Sequence, residues 1–125
     1  MLEAVMCLAL NIYFEARDQP IEGQLMVAEV TLNRVKAPGF PKTVCDVVWQ
    51  PGAFSWTDDG KSDHPNDLHA FAEVVLLAND VLHDDSVLLG TDALFYHGKS
   101  IHPTWAKHMS RIAVIGDHIF YAKVS

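Results

Sequence analysis

The stretch Leu10-Asn11-Ile12-Tyr13-Phe14-Glu15-Ala16-Arg17 sets an acid at the end of an otherwise apolar helical run. Counting back along a helix, Ile12, Asn11 and Leu8 share the face of Glu15. A carboxyl among such neighbours loses water. Desolvation penalises its charged form, so its pKa is expected to rise, and an acid that keeps its proton near neutral pH can act as a general acid. A solvated glutamate at a helix end is the other reading of the same pattern.

Working outward, Leu2, Val5, Met6, Ala9, Leu10 and Tyr13 recur at helical spacing, which predicts a first helix over residues 2–17. Asp18-Gln19-Pro20 ends it, because proline disfavours helical geometry in the residue before it. A second, central helix is expected from about Ile21 to Lys36, with Leu25, Ala28, Val30 and Leu32 inward. Ala37-Pro38-Gly39-Phe40-Pro41 breaks the chain, and a short helix over Thr43 to Trp49 follows, with Thr43 as N-cap. Residues 50–66 read as a loop, with the alternation Ala53-Phe54-Ser55-Trp56 suggesting a short strand. Asn66 or Asp67 caps a third long helix to about Leu82. Ala93 to Tyr96 reads as a strand, and residues 111–122 as a hairpin turning at Gly116-Asp117. Helices first and small strands later give an α+β domain.

The 125 residues suit one domain spanning 1–125, long enough for a real core. The longest apolar run, Val5 to Phe14, is far short of the ~20 residues that cross a bilayer, so no membrane insertion is expected. A net charge of −7 argues against a nucleic-acid partner, which would need a basic footprint. Cys7 and Cys45 are the only cysteines. In an oxidising compartment they can pair, contributing ~3–4 kcal/mol for a loop of this size; otherwise they are two thiols in apolar settings.

The tract Leu8–Arg17, with Pro20-Ile21-Glu22-Gly23-Gln24, Leu32-Asn33-Arg34-Val35, Phe40-Pro41-Lys42-Thr43-Val44-Cys45, Val47–Trp56, Ala93–His97 and Ile115–Tyr121, resembles the SleB-like cell wall hydrolases. That family includes spore cortex-lytic enzymes and bacterial and phage peptidoglycan hydrolases. The likeness runs in order through nearly the whole chain. It implies a lysozyme-like architecture, with a helix carrying the acid and a small antiparallel sheet walling the cleft, and it implies that Glu15 is the catalytic acid. Asp18 stands where the family usually has glycine, a departure that bears on the turn more than on chemistry.

The resemblance implies cleavage of peptidoglycan glycan strands, most simply as a lytic transglycosylase. Glu15 protonates the leaving oxygen and then takes the proton from the C6 hydroxyl of the muramic acid, leaving a 1,6-anhydro end. A two-carboxylate lysozyme mechanism, hydrolysing as a muramidase or glucosaminidase, would need a second acid, and Asp59, in Asp58-Asp59-Gly60, is the candidate, although Asp beside Gly is also an ordinary turn former. Gln50, Phe54, Ser55, Trp56, Tyr96 and His97 are the expected cleft wall, since sugar C–H faces stack on aromatics and hydroxyls suit Gln, Ser and Tyr. Adjacent strand residues face opposite sides, so only one of Tyr96 and His97 should line the cleft; the resemblance favours Tyr96.

No cofactor is expected. Seven histidines invite a zinc amidase with His97, His102 and His118 as ligands, but no coordination spacing supports it. A catalytically silent glycan-binding module is the remaining class. The expected partner is peptidoglycan, the expected state a monomer, and the expected place of action the cell wall. No basic region with a cleavable apolar segment opens the chain. This fits a leader lying outside this stretch, or a phage lysin released through a membrane hole.

Overall fold

A computed structural model describes residues 2–124. Four α-helices come first: α1 (Leu2–Ala16), α2 (Ile21–Lys36), the short α3 (Val44–Val48) and α4 (Leu68–His83). Strands β1 (Phe95–Gly98), β2 (Ser110–Ile115) and β3 (His118–Ala122) form an antiparallel sheet in the order β1-β3-β2. The lysozyme-like α+β expectation holds. Helix starts follow the polar caps: Thr43 accepts from Asp46 N and opens α3, and Asp67 accepts from Ala70 N and opens α4.

Helix α1 is the hub, packed against α2, α3 and α4. Its buried face is Val5, Leu8, Ala9, Ile12, Tyr13 and Ala16, whereas Leu2 and Met6 are exposed. The expected stripe was therefore misplaced by a fraction of a turn. A helix apolar nearly all round offers several stripes, and its neighbours select one. In α2, Ala28 and Val30 are buried as expected, but Met26 and Val27 replace Leu25 and Leu32, which are only half-buried. More telling are the polar side chains buried on the same helix: Gln24, Glu29, Thr31 and Arg34.

Those side chains fasten the chain ahead of the sheet. Glu29 accepts from Gly90 N (3.0 Å), Thr91 N (2.7 Å) and the Thr91 hydroxyl. Asn33 Nδ2 donates to the carbonyls of Thr91 (3.0 Å) and Ala93 (2.9 Å), and Arg34 Nε to that of Leu94 (2.8 Å). Strand β1 accordingly starts at Phe95, two residues later than the alternation indicated, because helix side chains occupy the Ala93 and Leu94 carbonyls. The β2–β3 turn docks on the α1–α2 link: Gln19 Oε1 accepts from Asp117 N (2.8 Å) and Gln19 Nε2 donates to Asp117 Oδ2 (3.0 Å). Gly116, at φ 56°, sits against Gln19 where a Cβ would collide.

The short strand expected over Ala53–Trp56 is absent: Ser55–Thr57 is a 3₁₀ turn. Four alternating residues do not make a strand without a partner, and here Trp56 turns inward so that its Nε1 donates to Asn11 Oδ1 (2.8 Å). Cys7 and Cys45 form a disulfide that ties α1 to α3, settling the alternative left open by the sequence. Among the described residues no helix is long and apolar enough to cross a membrane.

Candidate active site

Glu15 lies in the last turn of α1, half-buried, where the helix end meets the sheet. The Tyr96 hydroxyl, from β1, donates to Glu15 Oε1. Burial pushes the Glu15 pKa above its ordinary value, while the Tyr96 hydrogen bond and the positive charge of Arg34 pull it partway back. Tyr96 itself is held well above the usual phenol range by burial and by the neighbouring carboxylate, so it stays a donor. The desolvation anticipated from Leu8 and Ile12 is present, both being fully buried. Arg17, exposed, instead donates to the Tyr13 carbonyl and covers the Tyr13 ring at 4.6 Å.

Three hollows adjoin along the helix–sheet junction. The largest, about 750 Å³, holds Glu15, Ser55, Tyr96, His97, Trp105 and His118 on its wall. On one side, sharing Tyr96 and Trp105, lies a hollow of about 390 Å³ around Arg34, Phe40, Gln50 and Phe95. On the other, sharing Glu15 and Ser55, lies one of about 420 Å³ lined by Arg17, Trp56, Asp59, Lys61 and His64. Glu15 is thus midway along a continuous groove.

All six expected wall residues reach this groove, but unequally. Ser55 is exposed beside Glu15, and Gln50 faces the Arg34 hollow. Phe54 and Trp56 are 4% and 5% exposed, so they are core anchors that show only an edge. Tyr96 and His97 both line the central hollow, which corrects the expectation that only one could. The hollow wraps round the short strand: Tyr96 packs on Phe54 and Phe120, whereas His97 stacks on Tyr121 (5.3 Å) and meets Trp105. Asp59 takes a turn-forming role, accepting from Lys61 N (2.9 Å), while also lining the Lys61 arm.

The histidines assigned to the zinc alternative do not gather. His102 lies outside the groove lining, and both ring nitrogens of His97 are engaged, Nδ1 with the Gly98 carbonyl (2.7 Å) and Nε2 with the Tyr121 hydroxyl (2.8 Å). Among the described residues no three His, Cys, Asp or Glu side chains are grouped to hold an ion.

Arg34, Trp105 and His118 were not singled out from the sequence as site residues. Arg34 had a legible signal. It follows Gly23, Val27 and Val30 at helical spacing on the buried face of α2, and a charge on such a face needs a reason. Trp105 and His118 had none, since only tertiary packing brings their turn and strand beside Glu15.

A family model described as cell wall hydrolase matches residues 18–121, a span that begins just after Glu15. The chain is 36% identical over 115 residues to the spore cortex-lytic enzyme of Bacillus subtilis (strain 168), covering 90% of this chain and 35% of that protein. It is 36% identical over 117 residues to the spore cortex-lytic enzyme of Oceanobacillus iheyensis, covering 93% and 40%. It therefore spans well under half the length of these relatives. Among solved structures, the catalytic domain of the germination-specific lytic transglycosylase SleB from Bacillus anthracis superposes with a TM-score of 0.75 at 31% identity, covering 97% of this chain and 95% of that one. The catalytic domain of the Bacillus cereus SleB protein gives 0.76 at 32% identity, covering 97% and 91%.

Proposed function

The chain belongs to the cell wall hydrolase family, and from that premise we propose that it cleaves peptidoglycan glycan strands as a single catalytic domain, with Glu15 as general acid and then general base. The observation that carries this reading is the setting of Glu15: a half-buried carboxyl with a raised pKa, held by Tyr96, midway along a groove open at both ends.

Protonated Glu15 gives its proton to the glycosidic oxygen as the bond from that oxygen to the muramic C1 breaks. The substrate's own acetamido group supports the cation that forms. The Glu15 carboxylate left behind is stabilised by the Tyr96 hydroxyl and the charge of Arg34, the same contacts that keep its pKa from rising without limit. It then removes the proton from the C6 hydroxyl as that oxygen closes on C1. The product is a 1,6-anhydro end, no water is consumed, and Glu15 is again protonated. A group that must give and retake a proton is best served by a pKa near the working pH, which opposing shifts of this kind favour.

The names of the relatives support the transglycosylase form: the Bacillus anthracis neighbour is itself described as a lytic transglycosylase. The hydrolytic alternative keeps one supporting observation, that Asp59 shares a hollow with Glu15. Mass spectrometry of digested peptidoglycan separates the readings. Anhydro-muramic ends support transglycosylation, reducing ends support hydrolysis, and free stem peptides would sink both. The protein is proposed to act as a monomer on the cell wall.

A further inference from the structure

Arg34 is an anomaly of a kind proteins seldom tolerate. It is 8% exposed, yet among the described residues it makes one hydrogen bond, through Nε, and no carboxylate stands within ion-pairing distance. This happens in a chain with 16 acidic residues. Glu15 is near enough to feel its charge but is not paired with it. Compensation comes from aromatic faces: the guanidinium carbon lies 5.2 Å from the Phe40 ring centre, 5.3 Å from Phe54 and 5.4 Å from Phe95. Such a cage holds the guanidinium plane fixed but satisfies no N–H. The terminal nitrogens, four N–H donors in a planar fork, are left to the hollow of about 390 Å³ that Arg34 lines with Gln50 and Trp105.

A buried cation without a counter-ion is costly unless a ligand supplies one. The fork matches a carboxylate bidentately. We infer that Arg34 is the anchor for a carboxylate borne by the glycan strand, seated in the hollow next to Glu15, with Gln50 and Trp105 closing round it. The ligand class rests on the glycan-cleavage reading above. Two sources share this chemistry: the lactyl carboxylate of a muramic acid without a stem, and a carboxylate of the stem peptide.

The sign of the effect discriminates. A protein of net charge −7 should bind a strand more weakly the more anionic it is; a dedicated anchor reverses that order. Binding is read by tryptophan fluorescence, with Glu15→Gln protein so that strands stay uncut. The probes are intact strands, strands stripped of stem peptides, and each of these with its carboxylates converted to methylamides. The acid forms should bind roughly tenfold or more tightly than their methylamides. Preference confined to stripped strands identifies the lactyl carboxylate, and preference on intact strands the stem. Arg34→Lys should erase the preference, because a point charge cannot replace the fork. Gln50→Glu, which places a negative charge in the same hollow, should erase it by a second route should Arg34→Lys not fold.

Equal binding of acid and amide forms, or tighter binding of the amides, overturns the anchor, as does a preference that survives in folded Arg34→Lys. The two readings fail separately. Strands that wild-type protein cuts but that show no carboxylate preference overturn the anchor alone. An Arg34-dependent preference for strands that wild-type protein never cuts overturns the glycosidase reading and leaves the anchor standing.

Discussion

The Tyr96 hydroxyl reaches Glu15 Oε1 across 81 positions of sequence, joining the end of the first helix to the first strand. Everything that sets the acidity of Glu15 converges on this pair and on Arg34 behind it. Predictions about rate, pH and stability follow from that arrangement.

Glu15→Gln is expected to abolish lysis of peptidoglycan without unfolding the protein. The amide is nearly isosteric and still accepts from Tyr96, but it has no proton to give, and general acid catalysis is worth ~10²–10⁴ in rate. Turbidity clearance by a folded variant within a few-fold of wild type would remove Glu15 from the mechanism.

The same substitution should raise stability at neutral pH. The unfolded glutamate titrates near 4.5, and the folded one above that. Between those values the native state holds a proton that the unfolded chain has released, so stability falls as pH rises through the window. Glutamine has no such loss. Melting temperatures of the two proteins should coincide well below pH 4.5 and diverge in favour of the variant as pH rises. A variant less stable at pH 7 would show that ionised Glu15 is a net stabiliser.

Tyr96→Phe removes a hydrogen bond that lowers the Glu15 pKa, so that pKa should climb further. Activity lost with deprotonation of the acid should then be lost at higher pH, while the maximal rate falls because the carboxylate intermediate loses a donor. An alkaline limb that stays put in folded Tyr96→Phe would mean another group titrates. This is a cleaner probe than a charge placed at Ile12, which is fully buried and would unfold the helix junction.

Asp59→Asn should leave the lytic rate within a few-fold of wild type. Asparagine can still accept from Lys61 N and keep the turn, and the single-acid mechanism asks nothing more of the position. A loss matching that of Glu15→Gln would establish a two-carboxylate hydrolase instead.

Reduction of the Cys7–Cys45 bond, which closes a loop between residues 38 apart in sequence, should destabilise the fold. The expected loss is ~3–4 kcal/mol. Denaturant midpoints with and without reductant, checked against a Cys7→Ala/Cys45→Ala protein, measure it. Equal midpoints would show that the tie adds nothing.

The helices were legible because their signals are local. Pro20, the break at residues 37–41, Thr43 and Asp67 mark starts and stops, and observed boundaries lie close to those marks. Glu15 was legible too, as an acid closing an apolar helical run. What local pattern could not supply was the choice among several apolar stripes on α1, which depends on three neighbouring helices packing at once. Nor could it distinguish a strand from a 3₁₀ turn at Ser55–Thr57, where the Trp56–Asn11 hydrogen bond decides. The electrostatics of the site lay furthest from reach. Arg34 and Tyr96 are 62 positions apart and become neighbours of Glu15 only because Glu29, Asn33 and Arg34 fasten residues 90–94 to α2. A pKa is set by distance and burial in three dimensions. The sequence could therefore nominate the acid, but only the tertiary structure could say what tunes it.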